Sequence, residues 1–385
     1  MIPRRLLLSL LCVLVLVAAP RAQSTLPPEA VEALDTLLAA QLVEPKVPGL
    51  AVAIAVDNRI VYSKGFGMAD LEHQVPVSTT TAFRTASVAK PLTAAAVMTL
   101  VQAGKLDLDA PVRTYCPAWP EKHPPITTRQ LLAHQAGVRH YARQGESTGT
   151  TTYFSIAESL DLFKNDPLRH EPGSKYMYST YGYSVIGCAI EGASTMPFDE
   201  YMRNWVFRPA GMTRTRQDFH YDVIPDRSEG YMVLTEEMYA GLPPSAKRIA
   251  KAGAVYNAAL HDTSMKVPGG GLVSTAEDLV RFGIALDTGK LLEEQTRETM
   301  WTEQKTTAGE DTGYGLGWGV TPAQDGIRRL THSGNQAGAA SALQVVPELG
   351  VTIAVMTNLE DYATGALSRR IIDILREHVR TDARR

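Results

Sequence analysis

Ser87-Val88-Ala89-Lys90 sets a hydroxyl and an amine three residues apart. On a helix that spacing puts both on one face. A serine at a helix N-terminus also meets free N–H groups and a dipole that favour negative charge developing there. Lys90 lies in a stretch with almost no other charge, which speaks against a solvated face. A lysine in a dry, apolar pocket loses its proton more readily and can act as a base. Together these features describe an activated serine. The pattern alone is weak, because a chain of this composition holds about one Ser-x-x-Lys by chance. The competing reading is a capping serine beside an exposed lysine.

Tyr178-Ser179-Thr180 precedes the helical run beginning near Gly182. A tyrosine oxygen near a serine–lysine pair can relay a proton to a leaving group. The competing reading is aromatic packing, since Tyr176, Tyr181 and Tyr183 are close by. His332-Ser333-Gly334 ends an expected strand, where glycine lets another backbone approach closely. The N–H of Asn335 could then join the N–H of Ser87 in facing a substrate oxyanion. His332 is expected to hydrogen-bond Tyr178 or a substrate carboxylate.

The three motifs are specific together, in the order Ser-x-x-Lys, Tyr-x-Thr, His-x-Gly with wide gaps. This resembles the serine β-lactamase and penicillin-binding protein family, in its class C-like branch. Supporting segments are Pro48-Gly49-Leu50, Leu131-Leu132-Ala133-His134, Pro172-Gly173-Ser174, Gly269 to Thr275 and Tyr314 to Trp318. The runs from Gly137 to Tyr141, Phe163 to Leu168 and Tyr178 to Tyr183 resemble the mitochondrial serine β-lactamase-like proteins and their bacterial relatives more closely.

The resemblance spans about residues 30–380. It implies an α+β, β-lactamase/transpeptidase-like fold, an antiparallel sheet flanked by helices with a helical subdomain. It implies Ser87 as the acylated nucleophile, with Lys90 and Tyr178 sharing the general base and acid work. It implies an oxyanion hole from the backbone of Ser87 and Asn335, and substrate contacts from Thr180, His332, Ser333 and Gly334. Arg139, His140 and Tyr141 would line the rim. Two residues depart from the pattern. Thr180 stands where asparagine is usual, and His332 stands where many relatives carry lysine. Both weaken the case for efficient β-lactam hydrolysis and leave acyl-serine chemistry intact.

These groups need elements to position them. The spacing predicts helices over 29–43, 87–102, 182–191, 198–206, 275–286 and 366–379. The helix at 275–286 would start from Ser274 or Thr275. Strands are expected over 50–56 and 60–66 as a hairpin, and over 314–320, 329–332, 341–346 and 351–356. The glycines at 313, 315, 317 and 319 would alternate along one of these strands. So the sheet would draw on about 30–75 and 310–380, around a mostly helical region of about 76–300.

The 385-residue chain is 44% hydrophobic and carries a formal charge of −3. That balance fits a globular protein with a large core, and the absence of a basic block argues against nucleic acid as partner. Arg4 and Arg5 precede an apolar run from Leu6 to Ala19, too short to span a bilayer. Residues 1–22 read as a signal peptide cut after Ala22, followed by a leader over 23–29. No stable membrane anchor would then remain, and the location would be periplasmic or secreted. Cys12 leaves with the signal. Cys116 and Cys188 form no disulfide framework and are expected as separate buried apolar residues.

No cofactor and no metal is expected. His134 and His140 lack a zinc-site spacing. Gly145-Glu146-Ser147-Thr148-Gly149 imitates a nucleophile elbow, but its polar flanks lack the strand and helix that motif needs. The favoured reading is a serine hydrolase acting on a small-molecule or peptide substrate, peptidase- or amidase-like. The alternatives are a β-lactam or peptidoglycan sensor that acylates with little turnover, and a non-catalytic scaffold.

Overall fold

The computed structural model describes residues 25–44, 46–143, 145–321 and 327–379. The expected signal peptide lies outside them. The chain enters through helix α1 (Pro28–Val43), with a proline at its first turn, where a missing N–H costs nothing. Strands β1 (Gly49–Val56) and β2 (Arg59–Asp70) follow as a hairpin. Asp57 and Asn58 make its two-residue turn with φ of 50° and 59°, the left-handed geometry that matches strand twist. A short β3 (Val75–Pro76) borders β2. The middle of the chain supplies helices α2 (Ala89–Gln102), α3 (Thr180–Ser194) and α4 (Ala276–Asp287). Strands β4 (Gly319–Thr321), β5 (Arg329–Gln336), β6 (Ala339–Val346) and β7 (Val351–Thr357) lead to α5 (Thr364–Val379).

Both ends of the chain build one seven-stranded sheet in the order β3-β2-β1-β7-β6-β5-β4. Every pairing in it is antiparallel. β1 is buried along its whole length because both of its faces are covered. Leu50, Val52, Ile54 and Val56 join a core with residues of α1 and α5. Ala51, Ala53 and Ala55 face the opposite way, into the larger core of the helical region. Small side chains on that face let α4 come close. A Cβ on Gly283 of α4 would stand 2.5 Å from the Thr352 side chain on β7. Thr275 caps α4 by accepting from the N–H of Asp278.

Three expectations need correction. The expected strand over 314–320 is only Gly319–Thr321. Gly313 and Gly317 adopt φ of 66° and 84°, so the glycines turn the chain instead of alternating along a strand. α2 begins at Ala89, and a single 3₁₀ turn over Ala86–Val88 carries Ser87 in front of it. Cys116 and Cys188 are not separate apolar residues but form a disulfide, with Cα atoms 5.3 Å apart. Their separation of 72 residues hid the pairing from sequence spacing. The bridge ties the 112–119 segment to the middle of α3, the helix that begins at the Tyr178 motif.

Closing so long a loop restricts the unfolded chain. Cys116→Ala/Cys188→Ala is expected to lose about 2–5 kcal/mol of stability. Reductant should lower the melting temperature of the parent protein and leave the double variant unmoved. Equal sensitivity of the two would show that the bridge contributes nothing.

Candidate functional site

Ser87 is held by its predecessors. The Thr85 N–H donates to the Leu272 carbonyl at 2.9 Å, and the Ser341 hydroxyl donates to the Thr85 carbonyl at 2.5 Å. Ala86 is forced to a φ of 45°, a left-handed conformation that costs a residue with a Cβ about 1–2 kcal/mol. The strain turns the chain sharply, so that Ser87 opens a cavity while Val88 and Ala89 enter the core.

Lys90 lies one turn behind Ser87 and is completely buried. Its Nζ stands 3.1 Å from Ser87 Oγ, 3.2 Å from Thr180 Oγ1 and 2.6 Å from the Gly269 carbonyl. It also lies 4.8 Å from the centre of the Tyr178 ring. Burial, reinforced by the charge of Lys266, drives its pKa well below the usual lysine range. A neutral amine has two N–H groups and one lone pair. Two of the three neighbours can accept those protons, which leaves the lone pair to receive the hydroxyl hydrogen of Ser87.

The Tyr178 motif divides its labour. Ser179 is the cap of α3, accepting from the Gly182 N–H and donating to the Arg139 carbonyl. Thr180 opens the helix with its hydroxyl on Lys90. Tyr178 precedes the cap, and burial pushes its phenol far above 10, against hydrogen bonding from Ser87. It therefore remains a proton donor at neutral pH. His134 accepts the Ser179 N–H and His140 accepts the Thr180 N–H, each at 3.2 Å. Burial pushes the His140 pKa down to about 4, so both its role as acceptor and its neutrality hold at neutral pH.

β5 forms the other wall. Its residues alternate, with His332, Gly334 and Gln336 buried and Ser333 and Asn335 exposed. β4 pairs only with Arg329–Thr331. Among the described residues, the edge of β5 from His332 onward has no strand partner. Gly334 is required by proximity, since a Cβ there would stand 2.7 Å from the Ser87 nitrogen and 2.6 Å from the Thr85 carbonyl oxygen. The backbones of Ser87 and β5 are therefore in close contact at this point. The Asn335 side chain turns away to Asp361, leaving its backbone to the site.

Of the two partners expected for His332, Tyr178 is not one. His332 makes no hydrogen bond to Tyr178, whose ring centre is 6.4 Å away. Its Nε2 lies 2.9 Å from the Tyr314 hydroxyl and its Nδ1 2.8 Å from the Ser333 carbonyl. Burial and Lys90 push its pKa down to about 3, so it carries no charge at neutral pH.

A cleft of about 350 Å³ joins these walls. Ser87, Tyr178, Thr180, Ser333, Gly334 and Asn335 line it, as do His140 and Tyr141. Lys90 lies behind it and His332 to one side. Arg139, expected at the rim, is buried in an ion-pair cluster with Glu146 and Asp166. That cluster holds the loop carrying His140 and Tyr141. Glu146 belongs to the false nucleophile elbow, and its real work is this pairing.

The family model described as beta-lactamase matches residues 34–376. The chain belongs to the beta-lactamase family. It is 28% identical over 430 residues to the mitochondrial serine beta-lactamase-like protein of Homo sapiens, covering 84% of this chain and 76% of the relative. The fold matches that of a D-amino acid amidase from Ochrobactrum anthropi SV3, with a TM-score of 0.75 and 22% identity. That match covers 92% of this chain and 99% of the other. An octameric penicillin-binding protein homologue from Pyrococcus abyssi gives a TM-score of 0.73 at 24% identity, covering 90% and 77%. The protein is thus a beta-lactamase-related serine hydrolase, and the α+β fold implied by its motifs is the one it has.

Several residues of this beta-lactamase-family cleft escaped the sequence reading, Tyr362, Ala363, Thr364 and Gly365 among them. Lys266 and Gln336 both line it. The signal for Lys266 was present: it is the sole charged residue between Asp262 and Glu277. That is the same isolation that marked Lys90.

Three outcomes follow from this geometry. Lys90→Met should slow Ser87 acylation by about 10²–10⁴-fold, measured with an activated ester. Gly334→Ala should cost about 1–3 kcal/mol of stability by overpacking and should also slow acylation. Glu146 has its pKa lowered to about 2, with hydrogen bonds from Arg139 and two backbone N–H groups overcoming burial. Its stabilisation is full above the ordinary carboxylate range and is lost as pH falls toward 2. Glu146→Gln should therefore lose about 3 kcal/mol at pH 7. The gap to the parent protein should close in acid, and a gap constant down to pH 2 would contradict the pairing.

Proposed function

We propose that this protein is an exported serine acyl-hydrolase of the peptidase or amidase type, working through an acyl-Ser87 intermediate. The observation that carries the reading is the buried Lys90 amine within hydrogen-bond reach of Ser87 Oγ. In the proposed cycle the Ser87 oxygen attacks the substrate carbonyl and its proton passes to Lys90. The tetrahedral oxyanion lies against the N–H groups of Ser87 and Asn335. Tyr178 donates a proton to the departing amine, and the proton held by Lys90 restores the phenol. Water then adds to the acyl-enzyme with Lys90 again as base, releasing the acid and free Ser87.

The substitutions at 180 and 332 support an amide or peptide over a β-lactam. The Thr180 hydroxyl is occupied by Lys90 and His332 is neutral. The fold shared with an amidase is consistent with this choice. Export is supported by the basic and then apolar start of the sequence and by the Cys116–Cys188 bridge, since disulfides persist in oxidising compartments.

Intact mass after exposure to a fluorophosphonate and to a penicillin tests the reading, with Ser87→Ala alongside. The expected result is a fluorophosphonate adduct that needs Ser87, together with release of amine from N-acyl amino-acid amides. A stable penicillin adduct without amide turnover would favour the sensor instead. No adduct on folded protein would leave a scaffold.

A further inference from the structure

One cation, Lys266, lines the cleft. Lys266 closes the 3₁₀ turn Ser264–Lys266 and is only 4% exposed. Its Nζ lies 5.8 Å from the centre of the Tyr141 ring. Among the described residues it has no hydrogen-bond or ion-pair partner. The acid whose charge reaches it is Asp218, which is paired with Arg84 at 2.8 Å and Arg227 at 2.6 Å. The other groups facing Lys266 are Arg84, Lys90, His140 and His261, none of them an anion. No acidic side chain lines the cleft.

Gln336 is a second, independent sign. It lies on β5, is 9% exposed and lines the same cleft. Both its amide oxygen and its amide nitrogen are buried without a hydrogen-bond partner. A buried polar group left unpaired costs the fold free energy, and such groups persist where a ligand supplies the partner. An ammonium and a side-chain amide opening on one cavity suit a carboxylate. One oxygen would accept from Lys266 and the other from the Gln336 nitrogen. His332 on β5 is neutral and supplies no charge.

We propose that Lys266 and Gln336, which line the same cleft, are its anion-recognition groups, and that the substrate is an acyl compound bearing a carboxylate. This rests on the reading of Ser87 as the acylated residue. It moves the recognition charge from β5 to the turn before Gly269. Burial and Arg84 push Lys266 down to about 7, so a bound carboxylate replaces a missing counterion and draws the amine back to its charged form. Lys266 also helps to keep Lys90 neutral, so its neutralisation by substrate would be felt at the base.

The test uses Ser87→Ala, in which binding is read without turnover. N-acetyl dipeptides with a free C-terminal carboxylate are titrated against the same dipeptides as C-terminal amides. The acids are expected to bind about tenfold or more tightly than the amides. Adding Lys266→Met should erase that preference, and adding Gln336→Leu should reduce it. Lys266→Met removes a buried, unpaired ammonium, so its melting temperature should not fall, which separates lost recognition from lost folding. Equal binding of acids and amides, no measurable binding of any acid, or a preference that survives Lys266→Met would each overturn the proposal. Fluorophosphonate labelling of the parent protein reads the acyl-serine reading separately, so either idea can fail alone.

Discussion

The amine of Lys90 is the constraint on which the rest of the architecture depends. A lysine with no exposed surface must lose its charge or have it balanced, and no carboxylate approaches it. Its three polar neighbours come from three separate parts of the chain: the turn before α2, the first residue of α3, and the short helix Val267–Gly270. The helical region is therefore organised around one nitrogen. α3 is oriented so that its N-terminus meets Lys90, and the positive end of that helix adds to the pressure on the amine to stay neutral. The disulfide to Cys188 fastens the same helix at its middle.

The sheet contributes a second constraint of a different kind. β5 must touch the turn that carries Ser87, and only the absence of a side chain at 334 allows it. The Ser341 hydroxyl, from the neighbouring β6, reaches the carbonyl of Thr85 and locks the two together. Strain at Ala86 is thus held by contacts on both sides, which is how such a conformation persists in a stable fold. The position of Ser87 is determined jointly by helix and sheet, so the site exists only where the two parts of the chain meet.

Much of this was legible in the sequence, for reasons that differ by element. The hairpin at 49–70 announced itself through apolar alternation and a turn of Asp57 and Asn58, both tolerant of positive φ. α2 was legible because an apolar run of its length, interrupted by a single lysine, has to be buried on every side. The 314–320 segment misled because glycine at every second position imitates a strand period while permitting turns. Cys116 and Cys188 misled because proximity across 72 residues is a property of the fold. The motif residues Ser87, Tyr178, Gly334 and Asn335 lie together on the cleft, whereas His332 and Arg139 were assigned by position and face other partners. Periodicity tells which face a residue occupies and not what it touches there.

The departures at 180 and 332 then read as one linked change. Threonine at 180 is too short to reach far into the cleft, but it suits the role of acceptor for Lys90. Histidine at 332, neutral and tied to Tyr314, withdraws a charge that would otherwise stand near Lys90. A cation at both 332 and 266 would press the same base from two sides in a cleft with no acid to offset them. Placing one permanent neutral at 332 and one titrating amine at 266 keeps Lys90 basic enough to accept a proton. It still leaves a charge for recognition, and that charge becomes complete only when an anion arrives.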